Sequence, residues 1–174
     1  VALALALQAD ILFRHTPVDT TRAIYGANPF PEAVEVARYL RQHAAPDDRI
    51  AVIGSEPQIY FYARRPAATG YIYMYPLMEP HPFARSMQED MIAQIERARP
   101  RFVVMVNVDS SWLRLTQSHD LLFTWAERLL NDGYQPVGLA EIVAGQATVY
   151  RWGADAAAVM PQSSNYVLTF ERSP

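Results

Sequence analysis

Arg49-Ile50-Ala51-Val52-Ile53-Gly54-Ser55-Glu56-Pro57 is the stretch that decides the fold. Ile50 to Ile53 is a continuous apolar run, which suits a strand buried on both faces rather than one with a wet side. Gly54 breaks it. Ser55 offers a side-chain oxygen to the backbone N–H groups of a helix start, and Pro57 fits inside a first turn. A strand running directly into a capped helix predicts an α/β unit, with the helix over residues 56–63 and its end at Arg64-Arg65-Pro66.

The same alternation continues on both sides. Upstream, Asn28-Pro29-Phe30-Pro31 opens a helix whose apolar residues Val34, Ala37, Tyr39, Leu40 and Ala44 recur at roughly helical spacing. It ends before Pro46, and Asp47-Asp48 make a turn. Downstream, Thr69-Gly70-Tyr71-Ile72-Tyr73 predicts a second strand, and residues 75–82 a proline-broken loop. A long helix over residues 83–98 carries Met87, Met91, Ile92 and Ile95 on one stripe, and Pro100 stops it. Phe102-Val103-Val104-Met105-Val106 is the third strand. A loop over residues 107–118 follows, then a helix over residues 119–131 that buries Leu122, Trp125, Ala126 and Leu129, with Gly133 as its C-cap. Residues 134–143 and 146–152 alternate and join through Ala144-Gly145, the pattern of a β-hairpin.

Strands alternating with helices predict an α/β fold. The expectation is a three-layer, mainly parallel sheet of Rossmann-like or flavodoxin-like type, with the first and third strands adjacent and an antiparallel C-terminal hairpin at one edge. Residues 1–27 are expected to be a membrane-proximal stub and linker, with the linker over residues 16–28. Residues 28–153 form the α/β domain. Residues 154–174 are a loop and the short strand Tyr166-Val167-Leu168-Thr169-Phe170.

Composition bounds the function. The chain has 174 residues, 51% hydrophobic and 19% charged, which is the balance of a globular domain. A net charge of −3 gives no polybasic signature, so a nucleic-acid partner is not expected. With no cysteine there is no disulfide, thiolate metal site or cysteine nucleophile. Neither GxGxxG nor GxxxxGK[ST] can be drawn around the lone Gly54, and GxSxG fails because Pro57 stands where its last glycine would be. His15, His43, His81 and His119 are scattered, with no pair at i+4, so neither a metal nor a cofactor is expected. No catalytic residue can be named.

Binding is expected where open α/β sheets bind ligands, beyond the carboxyl ends of the strands. Those ends carry Ser55 and Glu56 on one strand and Asn107 and Asp109 on the other, so two carboxylates and an amide are candidates to meet there. Both Ser55 and Glu56 also suit a helix N-terminus, where the dipole favours negative charge. Tyr71, Tyr73 and Tyr75 alternate, and alternate residues of a strand share a face. Such a face could stack on a sugar ring, rest at a membrane interface or cover the long helix.

The segment from Gly54 to Pro66, followed by Tyr71-Ile72-Tyr73, and the helix start Asn28-Pro29-Phe30-Pro31-Glu32 resemble the C-terminal soluble region of bacterial multi-spanning glycosyltransferases. These are similar to the dolichyl-phosphate-mannose protein mannosyltransferase group, of GT-C architecture. The resemblance covers residues 28–152 and implies a parent enzyme with a polyprenyl-phosphate sugar donor. The parent's catalytic acids lie in an early extracytoplasmic loop among its membrane spans, so no catalytic residue carries over. The implied role is a non-catalytic accessory domain on the periplasmic side of the inner membrane. Its partners are the membrane-embedded portion of the parent and a glycan or lipid-linked sugar. The apolar start, Val1-Ala2-Leu3-Ala4-Leu5-Ala6-Leu7 with Ile11-Leu12-Phe13, then reads as the stub of a final span. An amphipathic or buried helix explains it equally well. The alternatives are a free-standing carbohydrate or small-molecule binding module and an unrecognised soluble enzyme.

Overall fold

A computed structural model describes Leu3 and residues 8–173. Among the described residues, helices α1 (Ala9–Phe13), α2 (Pro17–Tyr25) and α3 (Phe30–His43) come before the first strand. The α/β part follows as β1 (Ile50–Ile53), α4 (Gln58–Ala63), α5 (Tyr75–Met78), α6 (Ala84–Ala98), β2 (Phe102–Asn107), a 3-10 turn (Asp109–Ser111) and α7 (Leu121–Gly133). Strands β3 (Tyr134–Ile142) and β4 (Val149–Trp152), helix α8 (Ala154–Ala157) and strand β5 (Asn165–Arg172) complete it. The reading of Val1 to Phe13 as a membrane stub lies partly outside the described residues. Among those described, no helix is long and apolar enough to cross a membrane.

The sheet order is β1-β2-β5-β3-β4. Strands β1 and β2 pair in parallel, Ile50 against Phe102 through Ile53 against Met105, so the expected adjacency of these two strands holds. The expectation of a mainly parallel sheet does not. The pairs β2–β5, β5–β3 and β3–β4 are all antiparallel, and the sheet is mixed. The cause lies at the chain's end. Strands β2 and β3 run the same way but do not touch. Strand β5 returns between them and pairs antiparallel with both, so a tail expected beyond the domain supplies an interior strand. Strands β3 and β4 form the predicted hairpin, Gly138 against Trp152 through Glu141 against Val149.

Alternation along β1 sends side chains to two cores. Ile50 and Val52 pack with Val36, Ala37 and Leu40 of α3 and Ile59 of α4. Ala51 and Ile53 pack with Met74, Leu77 of α5, Met91 and Ile95 of α6, and Leu122 and Trp125 of α7. Phe102, 0% exposed, is among the largest fully buried side chains. Burial of this kind contributes about 1.5–3 kcal/mol per large apolar side chain. Val34 of α3, one of the apolar residues at helical spacing, faces outward, because the buried stripe is Ala33, Val36, Ala37 and Leu40.

Two local expectations need correction. Residues 69–73 are not a strand. Ala67 makes one bridge to Ile50, with Ala68 N–H donating to the Ile50 carbonyl at 2.8 Å. Beyond it the side chain of Gln94 takes over: its Oε1 accepts from Thr69 Oγ1 at 2.9 Å and from Gly70 N–H at 2.8 Å, and Tyr71 N–H turns back to Thr69 Oγ1. Donors satisfied by side chains leave nothing for a ladder to recruit. Residues 16–28 contain a helix, α2, rather than a linker alone. Thr16 and Asp19 form a reciprocal capping box, and Asp19 is held below the usual carboxylate range chiefly by its hydrogen bonds from Thr16.

Candidate functional site

The carboxyl end of β1 is built around the close approach of Gly54 to its neighbours. A Cβ at Gly54 would stand 2.4 Å from Glu56 Oε2 and 2.7 Å from Val106 Cβ, too near for any side chain. Gly54→Ala is expected to destabilise the domain by about 1–3 kcal/mol, the usual cost of overpacking. The check is the midpoint of urea unfolding, and an unchanged midpoint would show that the strand end relaxes freely.

The bend aims Glu56 inward. Its side chain is buried at 2% exposure, and Oε2 accepts from Ser111 Oγ at 2.8 Å. Ser111 Oγ in turn accepts from Ser55 N–H at 2.8 Å. Ser55 Oγ accepts from Met74 N–H at 3.0 Å. The expectation that Ser55 caps the following helix is therefore corrected: α4 begins after Pro57 without a side-chain cap, and Ser55 holds the segment ahead of α5. Burial pushes the Glu56 carboxyl up to about 7, although the Ser111 hydrogen bond acts the other way.

The remaining predicted residues have separate partners. Asn107 Nδ2 donates to the Ser164 carbonyl at 2.8 Å, in the approach to β5. Asp109 is exposed and opens the 3-10 turn that presents Ser111. Among the described residues, no hydrogen bond joins either to Glu56. The three alternate tyrosines do not share one face. Tyr71 donates to Asp90 Oδ2 on α6 at 2.9 Å. Tyr73 and Tyr75 lie against each other, ring centroids 4.4 Å apart, and the Tyr75 hydroxyl donates to the Ser110 carbonyl. Burial first, then Tyr73 and the Glu56 charge, push the Tyr75 hydroxyl up to about 12.

The cluster thus joins Ser55 and Glu56 to Ser110 and Ser111, which no sequence pattern singles out, and to Tyr75. A β-strand end followed far along the chain by a short Asp-Ser-Ser turn carries no local signal of contact. Chemically, Glu56 can hold or release a proton near neutral pH. It is buried, and its hydrogen-bond partner Ser111 is itself buried. Among the described residues, no group of three His, Asp or Glu side chains is arranged to hold a metal ion.

Tyr60 and Arg65, within the segment from Gly54 to Pro66, have structural work. Val52 N–H donates to the Tyr60 hydroxyl at 2.8 Å, and burial raises that hydroxyl above the ordinary tyrosine range. Arg65 Nη2 donates to the carbonyls of Arg41 at 3.0 Å and Ala44 at 2.6 Å, closing the C-terminal end of α3. No family model, curated protein or solved structure matches the chain.

Proposed function

We propose that this chain is a non-catalytic accessory domain of a bacterial membrane glycosyltransferase that uses a polyprenyl-phosphate sugar donor. It positions the acceptor or holds the assembly together from the periplasmic side of the inner membrane, against the membrane-embedded portion of its parent. In the same reading, helices packed on each face of the sheet make it a three-layer, Rossmann-like scaffold.

The observation that carries the reading is the apolar exposure of the N-terminal helices. Phe13 is 76% exposed, and Ile11, Ile24 and Tyr25 are exposed as well, while α2 has no buried residue. Large apolar side chains left exposed on these two helices are the material of a contact surface. The Glu56 cluster agrees with a role that is not catalytic, because its polar atoms are spent on holding β1, the 3-10 turn and the 71–75 segment together.

The test is the coding sequence upstream of Val1, followed by expression of the full-length product with and without residues 28–173. Several upstream apolar spans of about 20 residues each are expected, and removal of the domain is expected to lower sugar transfer from a polyprenyl-phosphate donor. An upstream region that encodes no such span overturns the proposal.

A further inference from the structure

Strands β1 and β2 run in parallel and finish at one end of the sheet, Ile53 against Met105 and Asn107 against Tyr166. The β3–β4 turn lies at the same end, because Glu141 also pairs with Tyr166. Arg22 of α2 and Thr148 beside that turn meet on the buried Glu32, which brings α2 and the start of α3 there too. The loop over residues 109–118 leaves from this end, and Ser55 holds Met74 to it. Phe83 precedes α6, which runs back to the start of β2. Ile72, Tyr73, Phe83, Leu113 and Leu115 are all exposed here, Phe83 at 68% and Leu113 at 56%. The two loop regions are stitched side by side. The Tyr75 hydroxyl donates to the Ser110 carbonyl and Ser118 Oγ to the Met78 carbonyl, while Gln88 Nε2 donates to the carbonyls of Leu77 and His119. The opposite end of the sheet, where β1 and β2 begin, carries Arg49, Arg99, Arg101 and Arg172 instead, with Arg172 N–H donating to the Arg101 carbonyl at 2.8 Å. Leu113 adds a second observation. Its φ of 47° lies in the left-handed region, where a bulky residue is strained. Arg64 and Arg99, the other non-glycine residues at positive φ among those described, cap α4 and α6. Leu113 caps no α-helix, and its strained backbone holds a leucine out in solvent. Strain of this kind collects at functional sites.

We propose that this end of the domain docks on a phospholipid bilayer, with Ile72, Tyr73, Phe83, Leu113 and Leu115 entering the boundary between headgroups and acyl chains. Three features select a bilayer. The apolar side chains stand on separate loops and a helix start at one end of the molecule, an arrangement that meets a plane rather than grips a segment. The apolar run Val1 to Leu7 enters the structure through α1 and α2 at the same end, so chain of the same character continues there. Tyr73 has the apolar ring and polar tip that suit the depth of a membrane interface. The charges beside the loops are balanced: Arg85 pairs with Glu89 at 2.9 Å, and Arg114 with Asp120. Docking is therefore driven by buried apolar area, needs no anionic headgroup and withstands salt. The surface is made of this chain's own residues and rests on no part of the glycosyltransferase reading, so the two stand or fall separately.

The chain has no cysteine, so single-cysteine variants of the whole chain report one place each. Phe83→Cys, Leu113→Cys, Phe13→Cys and, at the opposite end, Arg49→Cys are labelled with a nitrobenzoxadiazole dye. They are mixed with vesicles of phosphatidylcholine alone, or of phosphatidylethanolamine with phosphatidylglycerol. A blue shift of the emission is expected at Phe83→Cys and Leu113→Cys with both kinds of vesicle, unchanged by added salt, and none at Arg49→Cys. In the unlabelled chain, Leu113→Asp combined with Leu115→Asp is expected to lower vesicle partitioning about tenfold or more. Circular dichroism checks the fold, and Ile72→Ser with Tyr73→Ser decides the matter if the first pair fails to fold. The proposal is overturned if neither Phe83→Cys nor Leu113→Cys shifts, or if the paired variants partition like the wild type. A shift confined to Phe13→Cys overturns it by leaving lipid contact to the N-terminal helices. A shift at Arg49→Cys that salt abolishes overturns it by turning the arginine end to the membrane. Dimerisation through Leu113 and Leu115 without vesicle binding overturns it by giving the face to a second copy of the chain.

Discussion

Glu56→Gln stabilises the domain at pH 8 by about 2–3 kcal/mol and leaves it nearly unchanged at pH 4. The sign follows from burial. In the folded chain the Glu56 carboxyl is pushed up to about 7, against 4.5 for an unperturbed glutamate. Between those values the folded state holds a proton that the unfolded state has released. Below about 4.5 both states are protonated and the group is neutral in the balance. As pH rises through 7 the folded state must ionise a carboxylate that is 2% exposed with one donor, Ser111, and stability is lost. Raising a carboxyl's pKa tenfold in proton affinity corresponds to about 1.4 kcal/mol. Glutamine keeps an oxygen to accept from Ser111 and has no charge to bury. Urea unfolding of both proteins between pH 4 and pH 8 is the measurement. The wild-type curve should fall relative to the variant's across pH 5–7. Parallel curves would mean that Glu56 is hydrated in solution and that water reaches the strand end past Ser111.

The parts of the fold legible in sequence are those whose cause is local. The apolar runs at Ile50–Ile53 and Phe102–Val106 stand out as strands because a strand buried on both faces needs no alternation. Pro100 bounded α6, whereas Gly133, expected as the C-cap of α7, is its last helical residue and Tyr134 takes the cap position; the alternation on either side of Ala144-Gly145 marked the β3–β4 hairpin. Tyr71 and Tyr73 copied that alternation without being a strand, because Gln94, more than 20 residues away, supplies the acceptor a ladder would have supplied. The helix α2 was legible in principle: Thr16-Pro17-Val18-Asp19 is a capping box with proline at the first turn, although the surrounding Pro, Asp and Gly read as loop.

The site divides in the same way. Ser55 and Glu56 were placed at a strand end by a rule of topology, and that is where they are. Their partners, Ser111 at 55 positions' distance from Glu56 and Met74 at 19 from Ser55, are products of tertiary packing. Glu32 had only the appearance of an acidic residue in a helix's first turn, the ordinary complement to a helix dipole. Its burial against Arg22 and Thr148 depends on α2 and the hairpin arriving on the same side of α3. The short strand near the C-terminus was visible as a strand, but nothing in Val167-Leu168-Thr169 tells an edge from an interior position.

What holds that interior position is expected to be the most sensitive polar feature of the fold. Glu141, near the end of β3, is 4% exposed. Its Oε1 accepts from Gln162 N–H and from Ser163 N–H, the latter at 2.6 Å, and its Oε2 lies 3.5 Å from Arg151 Nη1. Ser163 Oγ donates to the Ile142 carbonyl at 2.6 Å, and Asn107 Nδ2 fixes the Ser164 carbonyl from the opposite neighbour, β2. These bonds turn the chain into β5 between β2 and β3. Burial pushes the Glu141 carboxyl up, but the two backbone donors and Arg151 outweigh it, and the net shift is downward. Its contribution therefore has the opposite sign to that of Glu56. It is fully present above the ordinary glutamate range and is lost as pH falls through the lowered value. Glu141→Ala removes the acceptor for two backbone donors at once and is expected to cost about 3–5 kcal/mol at pH 7. Glu141→Gln should recover part of that, because one oxygen remains. Hydrogen exchange gives the more specific readout. In Glu141→Ala the β5 amides, Val167 and Thr169 among them, should exchange well before those of β1 and β2. Uniform loss of protection across all strands would instead show that β5 is not a separately held element, and that the parallel pair does not persist without it.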